Sequence, residues 1–84
     1  MSRIFTQNWF NPNSFKFFSK EGQKNYLEIG CFEGRSMCWM FDNVLTGDDD
    51  RAYALDPFDG EGEREAFGDT QFIYDNFVHN TREF

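Results

Sequence analysis

The run from Asn25 to Leu55 constrains this chain more than any other feature, because its hydrophobic period changes twice within it. Asn25-Tyr26-Leu27-Glu28-Ile29 is a short apolar stretch closed by a glycine, the form of a buried strand. Gly30 to Gly34 then reads as a tight turn. From Arg35 onward Met37, Cys38, Phe41, Val44 and Leu45 recur at helical spacing, with Ser36, Asp42 and Asn43 largely off that face. Gly47 is placed to end the helix, and Asp48-Asp49-Asp50 reads as a solvated loop. Ala52-Tyr53-Ala54-Leu55 is a second strand, stopped at Asp56-Pro57. A strand, a helix and a strand in so short a span imply parallel strands joined by a right-handed crossover. The expected fold class is α/β: the N-terminal portion of a doubly wound, Rossmann-like parallel sheet, with two strands and about three helices.

The flanks are less regular. Asn11-Pro12-Asn13-Ser14 is a turn cluster, and Asn13 or Ser14 would cap a short helix over Phe15 to Lys20. Residues 59–69 are too polar and glycine-rich for a core. A last helix is expected from about Thr70, capped by Asp69 or Thr70, with Phe72, Ile73, Phe77 and Asn80 near one face. The chain divides into an aromatic segment 1–24, a strand–helix–strand unit 25–58, and an acidic loop with a helix over 59–84, all within one small domain.

Composition limits what holds this together. A domain of 84 residues buries only about 60–65% of the surface its unfolded chain exposes, so marginal stability or self-association is expected. Twelve Phe outnumber Leu, Ile and Val combined, which predicts a core of aromatic rings. Two cysteines, Cys31 and Cys38, and the single histidine His79 provide neither a disulfide framework nor a metal centre. The cysteines are expected to be packing residues and His79 a surface residue of the last helix. No apolar run is long enough to span a membrane, and Met1 to Thr6 lacks the apolar core of a secretory signal. A reducing, cytoplasmic setting is expected.

Charge is uneven: residues 1–40 carry a small positive excess, whereas 41–84 hold most of the acidic groups, for a total of −7. With no basic stripe to displace counterions, nucleic acid and anionic lipid are disfavoured as partners.

Tyr26 to Ser36, together with Asp56, carries the chemical information. In parallel α/β sheets, ligands sit beyond the carboxyl ends of the strands, where loops lead into helices. Gly30 and Gly34 allow a close backbone approach there. The helix opening near Arg35 and Ser36 turns free N–H groups toward the same place. Asp56 stands 22 residues after Gly34, about where a carboxylate accepts from a ribose diol. These spacings suit an adenosine-containing ligand. The dinucleotide fingerprint fails, since its third and sixth positions hold Phe32 and Arg35, and no phosphate-binding Gly-Lys-Ser/Thr exists.

Leu27-Glu28-Ile29-Gly30-Cys31-Phe32-Glu33-Gly34-Arg35-Ser36 resembles the first motif of class I S-adenosylmethionine-dependent methyltransferases, most closely the group related to macrolide O-methyltransferases. Ala54-Leu55-Asp56-Pro57-Phe58 looks like the same family's second motif. The resemblance extends from about Trp9 to Asn80, though its specific motifs occupy few residues. It implies S-adenosyl-L-methionine as cofactor, with Gly30 and Gly34 lining its methionine and ribose portion. Glu28 would organise the turn or meet the methionine ammonium group, Ser36 would stand at the helix start, and Asp56 would hold the ribose hydroxyls. Phe32 departs from the middle glycine of many relatives. The strands that bear the adenine contact, the catalytic groups and the acceptor site in that family have no counterpart before Phe84, so a partial cofactor-binding domain is expected, with its catalytic residues and methyl acceptor unassigned. The alternative is a noncatalytic cofactor-binding or protein-interaction module that pairs with a second copy or a complementing subunit through an exposed sheet edge.

Overall fold

The computed structural model describes residues 2–7, 9–58 and 70–84. A 3-10 turn over Pro12–Phe15 is followed by β1 (Asn25–Ile29), α1 (Arg35–Asn43), β2 (Arg51–Leu55) and α2 (Gln71–Thr81). The strands pair in parallel, from Asn25 beside Arg51 to Ile29 beside Leu55. The chain is therefore a small α/β structure with two parallel strands and, among the described residues, two α-helices. The expectations for 59–69, including Asp69 as a cap, lie outside the described residues.

Four local expectations need correction. The helix foreseen over Phe15 to Lys20 is instead the 3-10 turn that ends at Phe15, and its cap is Asn11, whose Oδ1 accepts from the Asn13 N–H at 3.0 Å. Pro12 supplies the fixed φ of a first helical position. The chain then stops winding, so that Phe15 and Phe18 stack at 5.9 Å with Phe17 outside.

The second correction concerns α1, which ends at Asn43 and not near Gly47. The Val44 and Leu45 N–H groups both donate to the Met40 carbonyl, at 2.8 and 2.7 Å. That closing turn tucks Val44 and Leu45 into the core from outside the helix.

Third, Asp50 is not part of a solvated loop. Its buried carboxylate accepts from the Gly47 N–H at 3.0 Å and the Lys24 N–H at 2.8 Å, and pairs with Lys24 Nζ at 3.2 Å. These partners, the Gly47 amide foremost, hold the Asp50 carboxyl below its ordinary value of 3.8. Its contribution is present above that value and is lost as pH falls through the lower folded value.

Last, among the described residues the centre of the core is not made of rings. Among the described residues the buried apolar side chains are Cys31, Met37, Cys38, Met40, Val44, Leu45 and Ile73, with no phenylalanine among them. Phe15, Phe18, Tyr26, Trp39 and Phe41 surround Met40, Val44 and Leu45 and stay partly open to water. Each ring needs about 150–250 Å² of cover, more than two short strands and two helices supply, so small and flexible side chains take the centre.

The segment from Ser2 to Gln7 acts as a strap across the carboxyl end of the sheet. The Ile4 N–H donates to Asn80 Oδ1 at 2.6 Å and the Ile4 carbonyl accepts from Asn80 Nδ2 at 2.8 Å. His79 Nε2 lies 2.6 Å from the Ser2 carbonyl, so the lone histidine is tied to the strap. Arg3 bonds to Asp42 at 2.6 Å and to Glu83 at 2.8 Å, linking the strap to the end of α1 and to the residues after α2. One sheet face stays open: Leu27 opposite Tyr53 and Ile29 opposite Leu55 are all more than half exposed.

Candidate functional site

The turn between β1 and α1 is built from alternating left-handed residues. Gly30 has φ 82°, Phe32 49° and Gly34 84°. The Gly30 N–H continues the sheet ladder by donating to the Leu55 carbonyl at 2.9 Å, and the Gly34 N–H closes the turn onto Cys31 at 2.8 Å. Phe32 therefore adopts a left-handed backbone that glycine takes more readily. That conformation costs a side-chain-bearing residue about 1–2 kcal/mol.

Asp56 offsets this cost. Its Oδ2 accepts from the Phe32 N–H at 2.8 Å and its Oδ1 from the Phe58 N–H at 2.6 Å. Phe58 is also left-handed, with φ 59°. One carboxylate thus clamps two strained residues at the tips of both strands. Asp56→Ala should destabilise the chain by about 1–2 kcal/mol, two exposed-side charged hydrogen bonds discounted for partial solvation. Urea denaturation reads this directly, and an unchanged midpoint would overturn the clamp.

Glu28 faces α1 from the middle of the site. Ser36 Oγ donates to its Oε1, and the Tyr26 hydroxyl donates to its Oε2 at 3.1 Å. Burial pushes its pKa above the ordinary 4.5; the hydrogen bonds from Ser36 and Tyr26 oppose the shift and the charge of Asp56 adds to it. A raised folded value means that the native state binds more protons, so this group's contribution weakens as pH rises above 4.5 and is least favourable once pH passes the folded value. Glu28→Gln should therefore stabilise the chain at neutral pH, with the gain fading below 4.5. Melting curves at a series of pH values test this, and a constant difference across the series would refute it.

Gly34 is placed differently from the expectation that its missing Cβ makes room for a ligand. A Cβ there would lie 3.0 Å from Phe77 Cδ2 and 3.1 Å from Thr81 Cγ2. The close approach that Gly34 permits is that of α2.

Sequence reasoning missed the two residues that organise the loop from behind. Glu33 is 2% exposed, and its carboxylate accepts from the Thr6 N–H at 2.7 Å, the Thr6 hydroxyl at 3.0 Å and Asn76 Nδ2 at 2.7 Å. Asn80 is 1% exposed, and besides Ile4 its Nδ2 donates to the Glu33 carbonyl at 2.9 Å. The only available signal was Asn80 itself, a polar residue within an apolar helical stripe. Glu33 sits in the spacer between two glycines, where the pattern says nothing about direction.

The strap and the loop enclose a cavity of about 360 Å³. Gly30 and Ser36 line it, whereas Glu28, Gly34 and Asp56 do not. The structure thus gathers Glu28, Gly30, Ser36 and Asp56 at the carboxyl ends of the strands, but divides them between this cavity and the ground behind it. Cys31, raised to about 12, and Cys38, raised to about 11, are buried thiols kept neutral mainly by burial, in keeping with packing roles. Among the described residues no three His, Cys, Asp or Glu side chains group as a metal site would, and no helix is long and apolar enough to cross a membrane. Comparison with protein-family models, with curated proteins and with solved structures finds no match for this chain.

Proposed function

We propose that the chain binds S-adenosyl-L-methionine as the cofactor-binding part of a class I methyltransferase, its acceptor unassigned. The observation that carries the reading is the convergence of Glu28, the Gly30 turn, Ser36 and Asp56 where two parallel strands end. The residues fit the group. Each Asp56 oxygen accepts one backbone N–H and has a second lone pair for a ribose hydroxyl. Glu28, whose charge is disfavoured by burial, is suited to receive an ammonium group that would restore it. Ser36 holds Glu28 in that orientation. The cofactor supplies an electrophilic methyl group, and the chain's own part is to bind and orient it.

Calorimetric titration with S-adenosylhomocysteine tests this, and no heat at millimolar ligand would sink it. Glu28→Gln is the informative variant, because it should bind at least about tenfold more weakly while melting higher at neutral pH. Weaker binding from this protein cannot then be attributed to unfolding.

The open sheet face favours a second reading, a noncatalytic module that pairs with another copy of itself. Leu27, Ile29, Tyr53 and Leu55 form an in-register apolar patch on a parallel sheet, a structure normally covered on both faces. Such a patch spans a few hundred Å², short of the ~800 Å² per partner in a standard interface, so the pairing would be weak. Sedimentation over a wide concentration range should show a dimer that Ile29→Lys abolishes. A monomer at millimolar concentration would exclude it.

A further inference from the structure

Tyr26 belongs to the core and to the site at once. It lies on β1 two residues before Glu28, so both side chains leave the same face of the strand. Its ring packs against the cluster of Met40, Val44 and Leu45 and meets Phe18 edge-on at 6.2 Å. The hydroxyl at the far end of that ring donates to Glu28 Oε2 at 3.1 Å. A ring fixed by packing thus delivers one proton donor to a carboxylate near the end of the strand.

Glu28 is held from two elements. Ser36, on the first turn of α1, donates to Oε1, and Tyr26, on β1, donates to Oε2. Neither oxygen can turn without breaking a bond, and each keeps a further lone pair for an incoming donor. The phenol does not change roles: burial, then the charge of Glu28, raise it above its ordinary 10.0, so it stays a donor wherever Glu28 titrates. Burial favours the protonated carboxyl, and the two hydrogen bonds favour the ionised one. The other groups near enough to feel this charge are the Asp56 carboxylate at the tip of β2, which adds to the effect of burial, and the neutral thiols of Cys31 and Cys38. Among the described residues, Tyr26 and Ser36 are therefore what keeps Glu28 charged.

We propose that Tyr26 is a positioning residue of this site, a donor anchored in the core that fixes the Glu28 carboxylate and keeps it free of its proton to receive the ammonium end of the cofactor. The ligand in this proposal rests on the cofactor reading, whereas the link between Tyr26 and Glu28 exists in the chain alone. A proton and an ammonium group compete for the same oxygens. Removing the phenol hydroxyl withdraws one hydrogen bond from the ionised form and lets the proton win at a higher pH.

The test is Tyr26→Phe, which keeps the ring and its packing. Carboxyl-carbon NMR of Glu28 in the ligand-free chain should show its titration moved upward by about 0.7 pH unit, the equivalent of one hydrogen bond. Calorimetric titration with S-adenosylhomocysteine should give binding about fivefold weaker below the wild-type Glu28 value, converging on wild type above the variant's. A merely structural role would weaken binding by the same factor at every pH. In a Glu28→Gln background the same substitution should leave no pH-dependent difference. A fluorinated tyrosine placed at Tyr26, a stronger donor of nearly the same shape, should move the Glu28 titration downward, and this variant carries the test if Tyr26→Phe does not fold. An unmoved titration, or a loss of affinity equal at every pH, would overturn the proposal. If S-adenosylhomocysteine fails to bind the wild-type chain while the titration still moves, the cofactor reading falls and Tyr26 stands as the residue that sets the charge of Glu28.

Discussion

Gly34→Ala should destabilise the chain by about 2–4 kcal/mol, combining about 1–2 kcal/mol for a left-handed residue with about 1–3 kcal/mol for overpacking, the upper end reduced by relaxation. Both terms come from one position. The backbone at Gly34 has φ 84°, and the added methyl would meet Phe77 at 3.0 Å and Thr81 at 3.1 Å. Neither neighbour can yield easily. The Phe77 ring is pressed against Phe58 at 5.1 Å, and the Thr81 hydroxyl donates to the Phe77 carbonyl at 2.7 Å, which fixes its methyl. In a domain with only a few kcal/mol of total stability, much of the population would unfold at room temperature. Phe77→Leu should recover part of the loss by opening space, measured as a double-mutant cycle in urea. A cycle without coupling would show that the contact is not the cause.

Asn80→Ala should cost about 3 kcal/mol, the sum of one buried and two part-buried hydrogen bonds at roughly 1 kcal/mol each. The side chain joins α2 to two other segments, through both polar groups of Ile4 in the strap and the Glu33 carbonyl in the loop. Its removal leaves the Glu33 carbonyl without that donor and loosens the strap at Ile4, while Arg3, His79 and Glu33 still hold its two ends. The effect therefore has a spatial signature that a general loss of stability lacks. Amide exchange at Ile4 and Thr6 should accelerate far more than at Ile73, under conditions where the variant is still mostly folded. Uniform acceleration would mean that the strap and the body open together and would refute a separate latch.

The strand–turn–helix–strand unit was legible because each part is written in local pattern. The five residues of β1, the start of α1 at Arg35 and the stop of β2 at Leu55 follow from period and from glycine and proline placement. The early end of α1 was not legible, since Val44 and Leu45 continue the helical period while leaving the helix to satisfy the core. Phe15 to Lys20 carries a helical spacing of rings, but Pro12 and the stacking of Phe15 on Phe18 settle on a turn. The candidate site was legible in its residues and not in their partners. Asp56 was marked at a strand tip, yet nothing local shows that two left-handed phenylalanines lean on it. Asn80 was placed near the apolar face of the last helix, but its link to Ile4 and Glu33, and that of Glu33 to Thr6, escaped notice because their meeting is a product of the whole chain path.

That path sets an order of events. Ile4 meets Asn80 across 76 residues, and Thr6 meets Glu33 across 27. Closing so long a loop is entropically dear and returns little until α2 has docked, so the strap should settle after the rest of the molecule. A pulse of hydrogen exchange during refolding should find Ile73 protected before Ile4; the reverse order would refute this. The consequence reaches the ribosome: the strap is made long before Asn80, and although Glu33 and Asp42 follow sooner, the backbone of Ile4 has no latch until Asn80 has been added, an interval in which that part of the strap is open to capture by something else.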